Sequence, residues 1–420
     1  MKRKLISIGA VVLVLALVLT LAPACGKEKE EPTPTPGVTP TPGVTPTPTP
    51  EVKTLKIGVV VPLSGPAAPW GIEELRGCEW ARDEINEAGG IKVGADRYMI
   101  ELVPCDDKML GSEAAECATM FVYEEGIHYV AGSIYTQPAM NPIFTEGKVI
   151  NGILGGRAAI GPEEPYTFVT CAQPQMGWVD AFWKQVYQFH PEIETVAVVA
   201  ELSGSGDDYF AGSMTTHAKY GREVVAEARH EPGTTDYYPT LTRVIAKNPD
   251  AIDFSGGSVG DHALKVKQAR ELGYTGYLAC CNMGSPMGVW DIMGAEAAEG
   301  LMTNDPLYGS EIRPEKGREL YAEFQRRYPG EVLPLTTYIG YGAIMLYKQA
   351  IEEAGTLDTD EVLKLFDDPD WTFEWFGTPG RTFGGLEAYG VLRALEDEVC
   401  FSEVVNGVST LRSCEPIEVP

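Results

Sequence analysis

The residues best placed to do chemistry lie between positions 256 and 282. Gly256-Gly257-Ser258-Val259-Gly260 satisfies G-x-S-x-G, the pattern that lifts a nucleophilic serine onto a sharp turn between a strand and a helix. That arrangement needs a histidine base downstream in the chain, and only His262 follows. Four residues after the serine, His262 sits on the next helix and does not swing round as its base. An extracellular serine hydrolase is therefore the remote reading, and no catalytic residue is assigned. The five histidines (128, 190, 217, 230, 262) show no H-x-x-x-H spacing and the nine cysteines no C-x-x-C, so no metal site is expected. No Walker A or G-x-G-x-x-G phosphate loop occurs, and no cofactor is expected.

The cysteines point to structure instead. Val399 to Cys414 reads as two strands around Asn406-Gly407, a strong hairpin turn, and folding about it brings Cys400 near Cys414. A Cys400–Cys414 disulfide is predicted, with Cys105 and Cys117 as a second candidate pair. Such bonds require an oxidising compartment.

The start of the chain supplies one. Met1-Lys-Arg-Lys4 is a basic n-region, and Leu5 to Leu21 is apolar except for Ser7, Gly9 and Thr20. Ala22-Pro23-Ala24-Cys25 follows, so 1–24 reads as a secretory signal peptide. The small residues before Cys25 resemble a bacterial lipobox, whose cysteine is acylated, although Ala22 stands where leucine is usual. The alternative is an uncleaved anchor, since the apolar run approaches the ~20 residues that span a bilayer. Both place the remainder outside the cytoplasm and tethered to the membrane.

Residues 25–53 then hold the anchor cysteine and a Pro/Thr-rich stretch with Pro-Gly-Val-Thr-Pro twice (36–40 and 42–46). Proline-rich chain adopts extended polyproline II at about 3.1 Å per residue, so this is either a stalk reaching roughly 75 Å or a spacer of no set length.

From Thr54 the elements that must position any site alternate. Leu55–Val61 is a buried strand, 71–88 a helix stopped by Gly89-Gly90, 98–104 a strand, 112–125 a helix, 127–131 a strand, 138–147 a helix and 149–154 a strand. The rhythm restarts at Val196–Ala200, with helices at 209–220, 238–247 and 261–272 between strands at 223–228, 251–254 and 277–280. Strand–helix alternation gives an α/β chain with a doubly wound parallel sheet, here in two similar lobes. In such sheets ligands sit beyond the carboxyl ends of the strands, so two facing lobes create a cleft.

Ile57-Gly58, Pro62-Leu63-Ser64-Gly65, Gly71, Gly77 and Ile85-Asn-Glu-Ala-Gly-Gly-Ile91 resemble the opening of branched-chain amino-acid-type (Leu/Ile/Val-binding) periplasmic binding proteins, the solute receptors of ABC importers. The resemblance continues through Asp106-Asp107, Thr136-Gln-Pro-Ala139, Lys267-Gln-Ala-Arg270, Ala298-Glu-Gly-Leu301 and the helix from Tyr338 to Glu353, covering Leu55 to about Tyr389. It implies a type I periplasmic-binding-protein fold: lobe 1 over 54–172 plus 303–375, lobe 2 over 173–302 plus 376–420, and a hinge that closes an interlobe cleft on the ligand. It also implies a monomer that delivers an amino acid or carboxylate to membrane permease subunits. A two-lobed sensor for a signalling partner shares these features.

The same resemblance assigns a ligand-binding set. Trp70 matches an aromatic in the first strand–helix loop, and Ser133 a hydroxyl facing the ligand carboxylate, with Tyr135 beside it. Gly155 and Gly156 match residues whose backbone N–H groups approach that carboxylate. Tyr209 matches the tyrosine that follows the first strand of the second lobe, and Ser258 the loop position after Gly256-Gly257. Two departures bear on specificity. Arg157 replaces a common threonine, and Asn282 replaces the acid that holds an amino-acid ammonium. Either the ligand is more anionic than a zwitterionic aliphatic amino acid, or the acid comes from elsewhere, such as Asp207, Asp208 or Asp261, or the alignment slips by a residue or two.

Bulk charge excludes one partner class. Sixty acidic against 33 basic residues leave −27, which repels nucleic-acid phosphates and anionic lipid headgroups.

Overall fold

The computed structural model describes residues 52–65, 67–132, 136–154, 160–170 and 175–417. The signal segment, Cys25 and the stalk lie outside the described residues. Two sheets organise the chain from Val52 onward. The first begins with β1 (Val52–Val61), whose run from Val59 to Val61 is fully buried. A strand without a solvent face belongs at a sheet centre. β1 pairs in parallel with β3 (Asp96–Asp106) on one side and β4 (Tyr129–Gly132) on the other. β2 (Ile91–Val93) closes one edge, and β5 (Ile150–Ile153) and β6 (Thr167–Val169) extend the other.

Between these strands run α1 (Ala68–Glu87), α2 (Gly111–Thr119) with a π-helical continuation over Met120–Glu125, and α3 (Gln137–Gly147). The continuation ends at Gly126, whose φ of 64° is a left-handed stop open to glycine.

α4 (Gln175–Phe189) leads into the second sheet. Its parallel strands are β7 (Thr195–Glu201), β8 (Glu223–His230), β9 (Ala251–Asp253), β10 (Tyr277–Cys280) and β11 (Leu301–Thr303). They are linked by α5 (Gly204–Lys219), α6 (Tyr238–Ile245), α7 (Val259–Glu271) and the single turns α8 (Trp290–Met293) and α9 (Ala295–Ala298). The chain then returns to the first lobe through α10 (Glu315–Arg327), α11 (Leu335–Ala354) and α12 (Thr359–Phe366). A small hairpin of β12 (Phe373–Trp375) and β13 (Thr378–Arg381) follows.

Two details differ from the sequence reading. β14 (Phe383–Gly384) and β15 (Ala394–Leu395), flanking α13 (Leu386–Tyr389), pair within the first sheet, so the last crossing falls at Glu396-Asp397 and not after 375. The earlier crossing follows Thr303, which still pairs in the second sheet. α5 starts at Gly204 and not at 209, because Ser203 caps it, its side chain accepting from the Gly206 N–H at 3.0 Å.

β16 (Glu398–Val405) and β17 (Val408–Pro416) complete the second sheet as an antiparallel hairpin about Asn406-Gly407. Cys400 lies opposite Cys414 in its register, and the two are disulfide-bonded. A second disulfide joins Cys105 at the end of β3 to Cys117 on α2. Among the described residues no helix is long and apolar enough to cross a membrane.

Candidate functional site

The carboxyl ends of the second sheet gather three of the residues singled out in the sequence. β9 runs out into Ser255-Gly256-Gly257-Ser258, where Gly256 (φ 70°) and Gly257 (φ 122°) take left-handed backbone conformations. Gly256 also meets α5: a Cβ there would lie 2.8 Å from Gly206 Cα and 3.4 Å from Tyr209 Cβ. Tyr209, 4% exposed and one turn into α5, therefore braces this turn from behind. The sequence puts Tyr209 at the start of a helix over 209–220; the Ser203 cap begins the helix earlier, at Gly204.

Ser258 is exposed and caps α7 in a reciprocal box. Its Oγ accepts from the Asp261 N–H at 3.2 Å, while Asp261 Oδ2 accepts from the Ser258 N–H at 3.1 Å. Among the described residues no side-chain hydrogen bond links Ser258 to His262, whose buried ring lies beside Asn282 and Lys265. Asn282, just past β10, donates from Nδ2 to the Gly257 carbonyl at 3.2 Å. Its Oδ1 is buried beside the His262 ring, where it favours the protonated imidazole. Tyr209, Ser258 and Asn282 are thus brought together around one glycine turn.

Behind that turn lies a cluster that composition and motif reading missed. Lys265 and His262, both on α7, are fully buried. Lys265 Nζ stands 3.5 Å from His230 Nε2, over the rings of Phe254 at 5.5 Å and Tyr237 at 5.9 Å. Burial lowers the Lys265 ammonium to about 8. Burial, and then the Lys265 charge, hold His262 well below the ordinary imidazole range. A signal was present: 262, 265, 266 and 269 follow helical i, i+3, i+4, i+7 spacing, which puts Lys265 on the apolar face with Val266 and Ala269.

Deeper in this lobe, Asp253 is held by Trp183 Nε1 at 3.0 Å, His217 Nε2 at 3.1 Å and the Ser255 hydroxyl. Tyr187 and His217 Nδ1 share a further bond at 2.6 Å. With its partners supplied from α4, α5 and β9, this buried network pins the base of the turn.

The first lobe contributes Trp70, 52% exposed in the first turn of α1. The preceding loop is tied down by Asp106, whose Oδ1 accepts from the Leu63 N–H at 2.8 Å. Burial pushes the Asp106 carboxyl up, but hydrogen bonds from Ser64, Leu63 and Lys108 outweigh it and leave the group below its ordinary range. Asp107, also at the end of β3, accepts from Thr136 Oγ1 at 2.6 Å and so holds the start of α3. Ser133, Tyr135, Gly155, Gly156 and Arg157 lie outside the described residues.

With this geometry in hand, comparison with known proteins is informative. The family model described as periplasmic binding protein matches residues 54–383. The Leu/Ile/Val-binding protein homolog 3 of Brucella melitensis is 25% identical over 312 residues, covering 72% of this chain and 80% of that protein. Among solved structures, the branched-chain amino acid transporter substrate binding protein of Streptococcus pneumoniae in complex with isoleucine superposes with a TM-score of 0.67 at 21% identity, covering 87% of this chain and 99% of that one. A solute binding protein of an ABC transporter from Rhodopseudomonas palustris, in complex with 3,4-dihydroxybenzoic acid, gives 0.66 at 20% identity over 87% and 99%. At these identities the structural likeness carries the fold.

Proposed function

The chain belongs to the periplasmic binding protein family, and from that premise we propose that it is the extracytoplasmic receptor of an ABC importer, taking a small organic or aromatic carboxylate, or an acidic amino acid, into the cleft between its lobes. The observation that carries the ligand class is Asn282. An amide, already donating to the Gly257 carbonyl, stands where the resemblance calls for an acid to hold an ammonium. A carboxylate there would favour a cationic group strongly, whereas an amide gives it no charge to pair with. Arg157, if it faces the same cleft, adds a bidentate partner for an anion. Solved structures of this fold accommodate both ligand types, one holding isoleucine and another 3,4-dihydroxybenzoic acid. Acylation at Cys25, with the Pro/Thr-rich stretch as a stalk, belongs to the same proposal and keeps the receptor beside its permease.

A thermal-shift screen of amino acids and carboxylates tests this reading. A ligand that binds only the native state stabilises it by RT ln(1 + [L]/Kd), about 2.7 kcal/mol at a hundredfold excess over Kd. Acidic or aromatic carboxylates should raise the midpoint more than leucine or valine do. A response confined to leucine and valine would refute the ligand class.

A further inference from the structure

Lys265 is a buried cation with no ion pair among the described residues. Among the described residues no carboxylate comes within ion-pair distance of its Nζ; its one polar contact is His230 Nε2 at 3.5 Å. The acids that face it are committed elsewhere or stand farther off. Asp261 on α7 is tied to the Ser258 N–H, and Asp253 on β9 to Trp183, His217 and Ser255. Glu201 at the end of β7 acts only through its charge, and Cys280 on β10 and Tyr237 before α6 complete the surroundings. A buried charge left without a partner is costly, so its retention calls for a counter-charge.

The position of Lys265 shows where that counter-charge can come from. A Cβ on Gly257 would lie 3.5 Å from Asp261 Oδ2 and 3.6 Å from Lys265 Nζ, so the ammonium stands directly behind the glycine turn, beside the carboxylate that caps α7. On the same wall the buried His262 ring and Asn282 Oδ1 lie beside each other, each the other's polar neighbour outside close hydrogen-bond geometry. Buried polar groups ordinarily find close partners, and this wall holds a lysine, a histidine and an amide with few of them.

We propose that Lys265 is a specificity-determining residue, whose ammonium behind the Gly256–Gly257 turn supplies the counter-charge for an anionic group of the ligand. This rests on the receptor reading above and deepens it, since it assigns the anion selectivity to the second lobe. The pH dependence follows in sign. An anion favours the charged amine, so binding raises its proton affinity. Affinity for the anion is then greatest below about pH 8 and falls as pH rises through and beyond that value.

The test is calorimetric titration of the full chain with benzoate, 3,4-dihydroxybenzoate, glutamate, succinate and leucine, repeated with Lys265→Met and across pH. The native chain should bind one or more of the anions. Lys265→Met, which keeps the length of the side chain, should lose about tenfold or more of that affinity together with the decline above pH 8. Asn282→Asp, which brings a negative charge to the same wall without touching the helix core, should weaken the anion by a similar factor and serves if the methionine variant does not fold. If Lys265→Met binds the same anion within about twofold and with an unchanged pH profile, Lys265 has no such role while the receptor reading stands. If only leucine binds, or none of the five does, the ligand class itself fails.

Discussion

Glu74 shows how much a single residue can reveal once its surroundings are known. It lies on α1, 1% exposed, and its Oε2 makes no hydrogen bond. Burial, helped by the charge of Asp107, pushes its carboxyl from 4.5 up to about 8. The native state therefore holds this proton more tightly than the unfolded chain does. The contribution is full below about pH 4.5, is lost progressively as pH rises to about 8, and stays constant above that. Glu74→Gln should flatten the pH dependence of denaturant midpoints by an amount on the order of 2–4 kcal/mol between roughly pH 5 and pH 9. Parallel curves for the two proteins would show that Glu74 is already paired or solvated. Tyr209, Ser258 and Asn282 stood out in the sequence through the family resemblance, and the structure gathers them around the Gly256–Gly257 turn. Lys265 and Glu74 did not stand out, since a lone lysine or glutamate in a helix ordinarily reads as solvent-facing. Only the packing of neighbouring elements against α7 and α1 buries them.

Helix packing obeys the same logic one level up. α1 and α11 cross so closely that a Cβ on Gly77 would stand 2.1 Å from the Thr337 carbonyl oxygen and 2.8 Å from the Tyr341 nitrogen. The contact is mutual, since a Cβ on Gly340 would meet the Glu74 carbonyl oxygen at 2.2 Å. Helix propensity alone gives Gly→Ala a gain of about 1 kcal/mol in a helix interior. Here the backbone cannot yield without separating two helices, and overpacking of this kind costs roughly 1–3 kcal/mol or more. Gly77→Ala should therefore lower stability by about 2 kcal/mol in denaturant unfolding; a gain would mean that the helices shift apart freely. The strand–helix alternation and the Asn406-Gly407 hairpin were readable because hydrophobic runs and turn residues mark them locally. The last lobe boundary was not. β14 and β15 are two residues each, too short to leave a periodic pattern, and their place in the first sheet is fixed by long-range pairing alone.

For the whole molecule, the net charge of −27 makes the cleft wall a local exception. Acidic surface repels anions at long range but is screened beyond a Debye length of about 8 Å at physiological salt, whereas a buried ammonium is screened far less. On the proposed reading, local chemistry at the second lobe decides what binds, and bulk charge does not. The crossing between the lobes is itself ionic. Asp397 accepts both contacts of the Tyr338 hydroxyl, at 3.0 and 3.1 Å, and Glu398 pairs with Arg381 at 2.6 Å and with Arg313. Tyr338 of α11, Arg381 of β13 and Glu398 of β16 thus meet in one charged cluster. The most direct measurement is isothermal titration of the purified chain at neutral pH with 3,4-dihydroxybenzoate and leucine side by side. One-to-one binding of the carboxylate, at least about tenfold tighter than leucine, is the predicted result; tighter binding of leucine, or no heat from either, would contradict it.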